Sequence, residues 1–235
     1  MKQARTILVV EDERDLRDVI SFNLKREGYV CRRAADGAEA LTDIATTLPD
    51  LVILDRMLPN TSGDEVVTQL RRDVRTAAIP ILMLTAKTEE SDELVGFALG
   101  ADDYVTKPFS MKTLMARVGA LLRRAERAVA TPDADVISSG PVTLDTQRRT
   151  VSAAGTEVVL TATEFRLLAA LMAADGRLRT RNQLIDAALG VNVTVVDRTI
   201  DVHVAALRKK LGAAAGWMQT IRGAGYAWRR PANVD

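Results

Sequence analysis

The sequence predicts an α/β fold: a five-stranded parallel sheet, doubly wound by helices, followed by a smaller α+β module. Three observations lead there. In the first half, five short β-branched or apolar runs alternate with five amphipathic stretches, the pattern of repeated strand–helix units. Several of these runs are apolar without alternation, as in strands covered on both faces. Beyond about residue 140 the order changes to short strands, then helical stretches, then a last pair of strands.

The strands of the first module are placed at Thr6–Val10, Val30–Arg33, Leu51–Leu54, Ile81–Thr85 and Tyr104–Thr106. The helical stretches lie near 14–27, 37–47, 63–74, 88–99 and 110–124. The boundary falls in Ala125–Gly140, which holds Ala130-Thr-Pro-Asp-Ala-Asp135 and Ser138-Ser-Gly-Pro141 and shows neither period. The domains are therefore set at 1–124 and 139–235, with 125–138 as linker. In the second module strands are expected at 142–145, 149–153 and 157–160, broken by Gly155. Helices follow near 162–174, 180–188 and 195–211. Strands near 218–222 and 226–229 flank Gly223-Ala-Gly225. Helices followed by a hairpin fit a winged helix-turn-helix.

Composition narrows the function. A chain of 235 residues with 47% apolar residues can build real cores. The single cysteine, Cys31, excludes an internal disulfide framework and a multi-cysteine zinc site. The single histidine, His203, leaves acid–base chemistry without its usual residue. No run approaches the ~18 apolar residues of a membrane span. The first apolar run is short and meets Glu11-Asp12-Glu13, unlike a secretory segment. A cytoplasmic protein without membrane contact is expected. The net charge of +1 conceals a split. Residues 1–126 carry 18 basic and 21 acidic side chains, whereas residues 166–230 carry 11 and 4. An acidic module thus precedes one suited to a polyanion.

The polar residues at the strand ends of the first module share one edge of one sheet. They are Glu11-Asp12, Asp55, Thr85-Ala86 and Lys107-Pro108. In open parallel sheets functional groups gather at that edge. Three converging carboxylates repel, and a hard dication such as Mg²⁺ relieves the repulsion. A carboxylate can attack phosphorus to give an acyl phosphate. Metal and Lys107 would neutralise charge on the transferring group, and a Thr85 hydroxyl could donate to it. The same constellation would also serve an aspartate-based phosphohydrolase, in which case a cap or substrate module should follow.

The segments "ILVVEDE", "DLVILDRMLPNTSG", "ILMLTA" and "GADDYVTKPF" resemble receiver domains of two-component response regulators, over about residues 5–124. The resemblance implies the flavodoxin-like receiver fold and a phosphoacceptor at Asp55. It implies that Glu11, Asp12, Asp55 and the Met57 carbonyl arrange Mg²⁺. It makes Lys107 the partner of the phosphoryl group, Thr85 and Tyr104 the switch pair, and Lys107–Pro108 a cis bond. A sensor histidine kinase would be the donor. Phosphorylated receivers would form a homodimer through the fourth helix, fifth strand and fifth helix. Asp103 and Arg117 suit one ion pair there, while Glu93 with Thr113, and Ala98 with Gly119, lack common ones.

"LTATEFRLLAALM", "TRNQLIDAALG", "VVDRTIDVHVAALRKKLG" and "MQTIRGAGYAW" resemble the winged-helix effector domain of the OmpR/PhoB family, over about 136–230. Ala162 and Leu189 depart from its usual Pro and Trp. On the third helix Ile200, Val204, Leu207 and Leu211 form a core stripe. The opposite face carries Arg198, Val202, Ala205 and Lys209, flanked by Thr199 and Ala206 and by Asp201 and Arg208. Such a face can enter a major groove. The residues expected at DNA are Arg198, Thr199, Val202, His203, Ala205, Ala206, Arg208, Lys209, Thr220 and Arg222. Arg222, before the hairpin glycines, suits a minor groove. Trp217 and Trp228 are expected to pack beneath the wing, and Cys31 to be inert. Together these features predict a phosphorylation-controlled transcription factor acting on double-stranded promoter DNA and RNA polymerase. The only chemistry expected is at its own aspartate. A regulator working by protein contact alone is the other alternative.

Overall fold

Strand β1 (Thr6–Val10) lies inside a five-stranded sheet with β2 (Val30–Ala34), β3 (Leu51–Asp55), β4 (Ile81–Ala86) and β5 (Asp103–Lys107). The order is β2-β1-β3-β4-β5, and every pairing is parallel. This computed structural model describes residues 4–86, 99–127, 136–189 and 198–231. Residues 88–98 of the expected helix, with Glu93 and Ala98, lie outside the described residues. The chain forms two compact units, residues 1–123 and 124–235.

The inner strands β1, β3 and β4 are almost wholly buried, which explains their unbroken apolar runs. Ile7, Val9, Leu51, Ile53, Leu82, Leu84 and Val105 meet Ile20 and Leu24 of α1 (Arg14–Arg26). The same cluster takes Leu114, Val118 and Leu121 of α4 (Met111–Arg127). Leu8, Val10, Val52 and Leu54 face the other way by the strand's period of two. On α2 (Gly37–Thr46) Ala40 and Ile44 are buried, and on α3 (Gly63–Arg72) Val66, Val67 and Leu70. Strand β2 is an edge and is largely solvated. Cys31 therefore sits half-buried there, its thiol pushed up by burial.

Caps fix the helix starts. Asp36 accepts the Glu39 N–H at the start of α2, and Ser62 with Glu65 forms a capping box on α3. At the other end of the sheet Arg71 pairs with the buried Asp102 at 2.9 Å, and Asp102 also accepts the Ile81 N–H. This pair joins α3 to the starts of β4 and β5.

The second unit opens with an antiparallel sheet, β6 (Val136–Ser139), β7 (Val142–Asp145), β8 (Thr150–Ala153) and β9 (Thr156–Glu157). Three helices follow: α5 (Ala162–Met172), α6 (Arg181–Ala188) and α7 (Arg198–Leu211). A 3₁₀ turn at Gly212–Trp217 leads into the hairpin β11 (Met218–Ile221) and β12 (Gly225–Trp228). The two-residue β10 (Arg179–Thr180) pairs with β12.

Three local expectations change. The stretch 125–140 has structured ends, since α4 continues to Arg127 and Val136–Ser139 pairs with β7. Strand 136–139 has only two apolar residues and takes its order from its neighbour, so periodicity could not reveal it. The strand expected at 157–160 stops at Glu157, because Thr161 caps α5 with Glu164 in a capping box. Strand β10, absent from the expected set, is too short to carry a period. As expected, Trp228 is buried, with its ring centroid 6.2 Å from that of Trp217.

Candidate phosphorylation site and nucleic-acid interface

The parallel sheet brings the carboxyl ends of β1, β3 and β5 together. Glu11 follows β1, Asp55 ends β3 and Lys107 ends β5. The Lys107 ammonium donates to both Glu11 carboxylate oxygens, at 3.1 and 2.9 Å, and to Asp55 Oδ2 at 2.5 Å. The Met57 N–H donates to Asp55 Oδ1 at 2.9 Å, leaving Oδ2 directed at Lys107. Carboxylate oxygens of Glu11, Asp12 and Asp55 all lie within 4.8 Å of one another. Glu11 and Asp55 are buried, Asp12 is exposed, and the group thus opens to solvent on one side.

Electrostatics follow from that crowding. Burial pushes Glu11 up to about 7, against the Lys107 hydrogen bond, and the Asp55 charge adds to the rise. Burial works against the Lys107 ammonium, but its bonds to Asp55 and Glu11 outweigh that and raise its pKa. Crowded carboxylates whose charges raise one another's pKa are relieved by a further cation. Hard oxygen donors suit a divalent metal. The cluster is consistent with a divalent-metal pocket.

Thr85 is buried in β4, and its hydroxyl donates to the Ala86 carbonyl at 3.2 Å. Tyr104 is buried in β5, and that burial pushes its hydroxyl well above the ordinary range. The Lys107–Pro108 bond is cis. The Met57 side chain is exposed, so only its backbone belongs to the site. Arg117 and Asp103 pair at 2.6 Å within one chain, and the same Asp103 oxygen accepts the Tyr104 N–H at 2.8 Å.

On α7 the core stripe is as expected: Ile200, Val204, Leu207 and Leu211 are all buried. Thr199 and His203 are buried too, each 2% exposed. The buried arc of this helix is wider than a four-residue stripe, because Thr199 and His203 extend it on one side. Ala205 and Lys209 are exposed, and Val202 and Ala206 half-buried. The Arg198 side chain and residues 190–197 lie outside the described region. Arg208 donates to the Met218 carbonyl at 2.6 Å and to Thr220 Oγ1 at 2.8 Å. Both residues therefore tie helix to hairpin, a role that residue type alone did not suggest. Arg222 is exposed at the hairpin tip.

Comparison with known proteins gives two matching family models. One is the response regulator receiver domain, over residues 7–119. The other is the C-terminal domain of transcriptional regulatory proteins, over residues 155–228. The sensory transduction protein RegX3 of Mycolicibacterium smegmatis is 43% identical over 225 residues, covering 94% of this chain and 97% of the relative. The phosphate regulon regulatory protein PhoB of Rhizobium meliloti is 45% identical over 223 residues, with the same coverage. The chain belongs to the OmpR/PhoB family of two-component response regulators. Among solved structures, a mutant of RitR matches with a TM-score of 0.80 at 27% identity, covering 96% of this chain and 99% of that one.

As a member of the OmpR/PhoB family, the chain is a phosphorylation-regulated, DNA-binding transcription factor of a two-component system. Its receiver gains and loses a phosphoryl group and is not an enzyme in the wider sense. Among the described residues no helix is long and apolar enough to cross a membrane. Sequence reasoning missed part of this regulator's polar framework. Arg17 donates to the carbonyls of Glu11 and Asp12. Asp201 accepts from Arg181 at 2.9 Å and from the Tyr226 hydroxyl at 2.7 Å. Such contacts join positions far apart in the chain or aim at backbone, so no spacing rule finds them.

Proposed function

We propose that Asp55 is the phosphoacceptor of this regulator and that a sensor histidine kinase is its donor. The observation carrying this is the Lys107 ammonium held 2.5 Å from Asp55 Oδ2 within a three-carboxylate cluster. An Asp55 carboxylate oxygen attacks phosphorus, and the bond from phosphorus to the donor's imidazole nitrogen breaks. The Met57 N–H fixes the opposite oxygen, so one lone pair faces the incoming group. Lys107 then shifts from a carboxylate partner to a phosphoryl partner and holds the new charge. Glu11, Asp12, Asp55 and the Met57 carbonyl would hold Mg²⁺. When bound, Mg²⁺ neutralises charge on the carboxylates and the phosphoryl oxygens.

Thr85 turns from the Ala86 carbonyl toward the phosphoryl group, and Tyr104 moves with it. That change propagates along β5 to Asp103 and Arg117, and favours a homodimer in which two DNA-binding domains read double-stranded promoter DNA. The linker between the two domains falls within 125–138. Val202, Ala205 and Ala206 offer apolar contact in the major groove. Arg198 and Lys209 hold phosphates, Arg222 suits the minor groove, and Arg208 with Thr220 sets the helix–wing angle. The assembled dimer acts on RNA polymerase in the cytoplasm. Mass spectrometry of the intact chain after a small acyl phosphate and Mg²⁺ tests the assignment. One added phosphoryl group is expected on the wild type and none on Asp55→Asn; an equal gain on both overturns it.

A further inference from the structure

The acidic cluster needs its carboxylates aimed inward, yet the chain leaves the sheet where they sit. The Glu11 N–H still donates to the Ala34 carbonyl of β2 at 3.2 Å. After Glu11 the strand has ended, and α1 begins at Arg14. Glu13 caps that helix by position, but its side chain makes no cap hydrogen bond. The usual means of fixing a strand-to-helix turn is therefore missing at the residues that carry the site.

Arg17 occupies that gap. Its Nη1 donates to the Glu11 carbonyl at 2.5 Å and to the Asp12 carbonyl at 3.2 Å. The stem is anchored one turn into α1, where the Arg17 N–H donates to the Glu13 carbonyl and the Ser21 hydroxyl donates to the Arg17 carbonyl. Ser21 is itself buried, so that turn is fixed on the core side. One guanidinium nitrogen thus pins two consecutive peptide units, those bearing Glu11 and Asp12. With the Ala34 bond on the other side, the Glu11 backbone is held through both its polar groups. Planar guanidinium donors suit this geometry better than an ammonium, which is a point charge on a flexible stem.

We infer that Arg17 is a positioning residue for the divalent-cation site, fixing the directions of the Glu11 and Asp12 carboxylates through their main chain. The inference rests on reading Glu11, Asp12 and Asp55 as that site. Two effects of opposite sign compete. The Arg17 charge repels a nearby cation, so losing it should tighten binding if charge dominates. The hydrogen bonds order the ligands, so losing them should weaken binding if order dominates. Hydrogen bonds to a charged donor are among the stronger ones in proteins, and partners outside the ligand shell commonly change metal affinity about 10–100-fold. The Arg17 guanidinium is half-buried, and its charge is already turned onto the Glu11 and Asp12 carbonyl dipoles, which offsets part of its repulsion of the cation. Order therefore wins.

The test is titration of the full, unphosphorylated chain with Mg²⁺, reading heat of binding and the Mg²⁺-dependent rise in melting temperature. Arg17→Ala should weaken Mg²⁺ binding about tenfold or more, and Arg17→Lys less, although Lys keeps the charge. Melting in chelator identifies any variant that fails to fold. Should Arg17→Ala fail there, Arg17→Lys and Arg17→Gln carry the comparison, with both expected weaker than wild type. Unchanged or tighter binding in a folded Arg17 variant overturns the inference while leaving the site intact. Absence of Mg²⁺ binding in the wild type, with Asp55 still accepting phosphate, overturns the metal reading itself and the inference with it.

Discussion

Gly63, the first residue of α3, lies against the strand that ends in Asp55. A Cβ placed there would stand 2.3 Å from the Asp55 carbonyl oxygen, 2.8 Å from Arg56 Cα and 3.1 Å from the Asp55 carbonyl carbon. All three atoms are backbone, so no side chain can swing aside. Contacts below 3.0 Å force a shift, and relief of the shortest one takes about 0.7 Å of relative movement. The Gly63 N–H also donates to the Arg56 carbonyl at 3.0 Å, so helix and loop must separate together. Overpacking of this kind costs about 1–3 kcal/mol. Misplacing a reacting group by about 1 Å can cost on the order of 10²-fold in rate. Gly63→Ala should therefore slow phosphoryl uptake from a small acyl phosphate about tenfold or more, with a lowered melting temperature. Gly119→Ala is the control, because its added Cβ meets only the flexible end of Arg123. That change should leave the rate unaltered and improve helix propensity by about 0.8–1 kcal/mol. The assay is the time course of the phosphorylated fraction at saturating Mg²⁺. A Gly63→Ala variant with wild-type rate and wild-type melting would refute the close-approach argument.

Three further outcomes follow from the same geometry. Glu11 is raised to about 7 from 4.5, so the native state binds its proton more tightly than the unfolded chain does. Its contribution to stability is accordingly lost as pH rises from about 4.5 through 7, whereas Mg²⁺, which needs the ionised form, should bind about tenfold more tightly at pH 8 than at pH 6; calorimetry at the two pH values reads this, and a flat profile counts against it. Asp102→Ala leaves Arg71, 7% exposed, without the buried carboxylate it meets at 2.9 Å, so denaturant unfolding should show a loss of about 3–5 kcal/mol, and a loss below about 1 kcal/mol would contradict that role. Ala206→Arg should raise non-specific DNA affinity and bring guanine into the selected site; selection from random DNA should return T-rich half-sites for the wild type, and invariant G·C pairs under α7 would sink that reading.

Much of the receiver was legible because its inner strands are buried on both faces and so appear as unbroken apolar runs. Its site was legible because a parallel sheet delivers strand ends to one edge, whatever the loops do. Thus Glu11, Asp55 and Lys107, up to 96 positions apart, can be grouped from the sequence alone. The edge strand β2 was placed to within one residue, at 30–33 against Val30–Ala34, although its mixed burial shows no strict strand period. On α7 the period located the core stripe but not its width, so the burial of Thr199 and His203 could not be read. The partner of Arg208 was hidden for a different reason. Its targets, Thr220 and a backbone carbonyl, lie on a hairpin whose approach is set by tertiary packing, not by spacing. Asp103 and Arg117 pair within the chain at 2.6 Å, but a sequence cannot say whether such a pair closes within a chain or between two.

The central claim is that phosphorylation of Asp55 controls DNA binding by the full chain. The most direct measurement compares the affinity of the full chain for a DNA fragment bearing its selected half-sites before and after acyl-phosphate treatment, with Asp55→Asn alongside. Allosteric couplings commonly amount to about 5–150-fold in affinity. The account predicts tightening of about tenfold for the wild type and none for Asp55→Asn. Equal tightening in Asp55→Asn, or full modification of Asp55 with unaltered affinity, would contradict it.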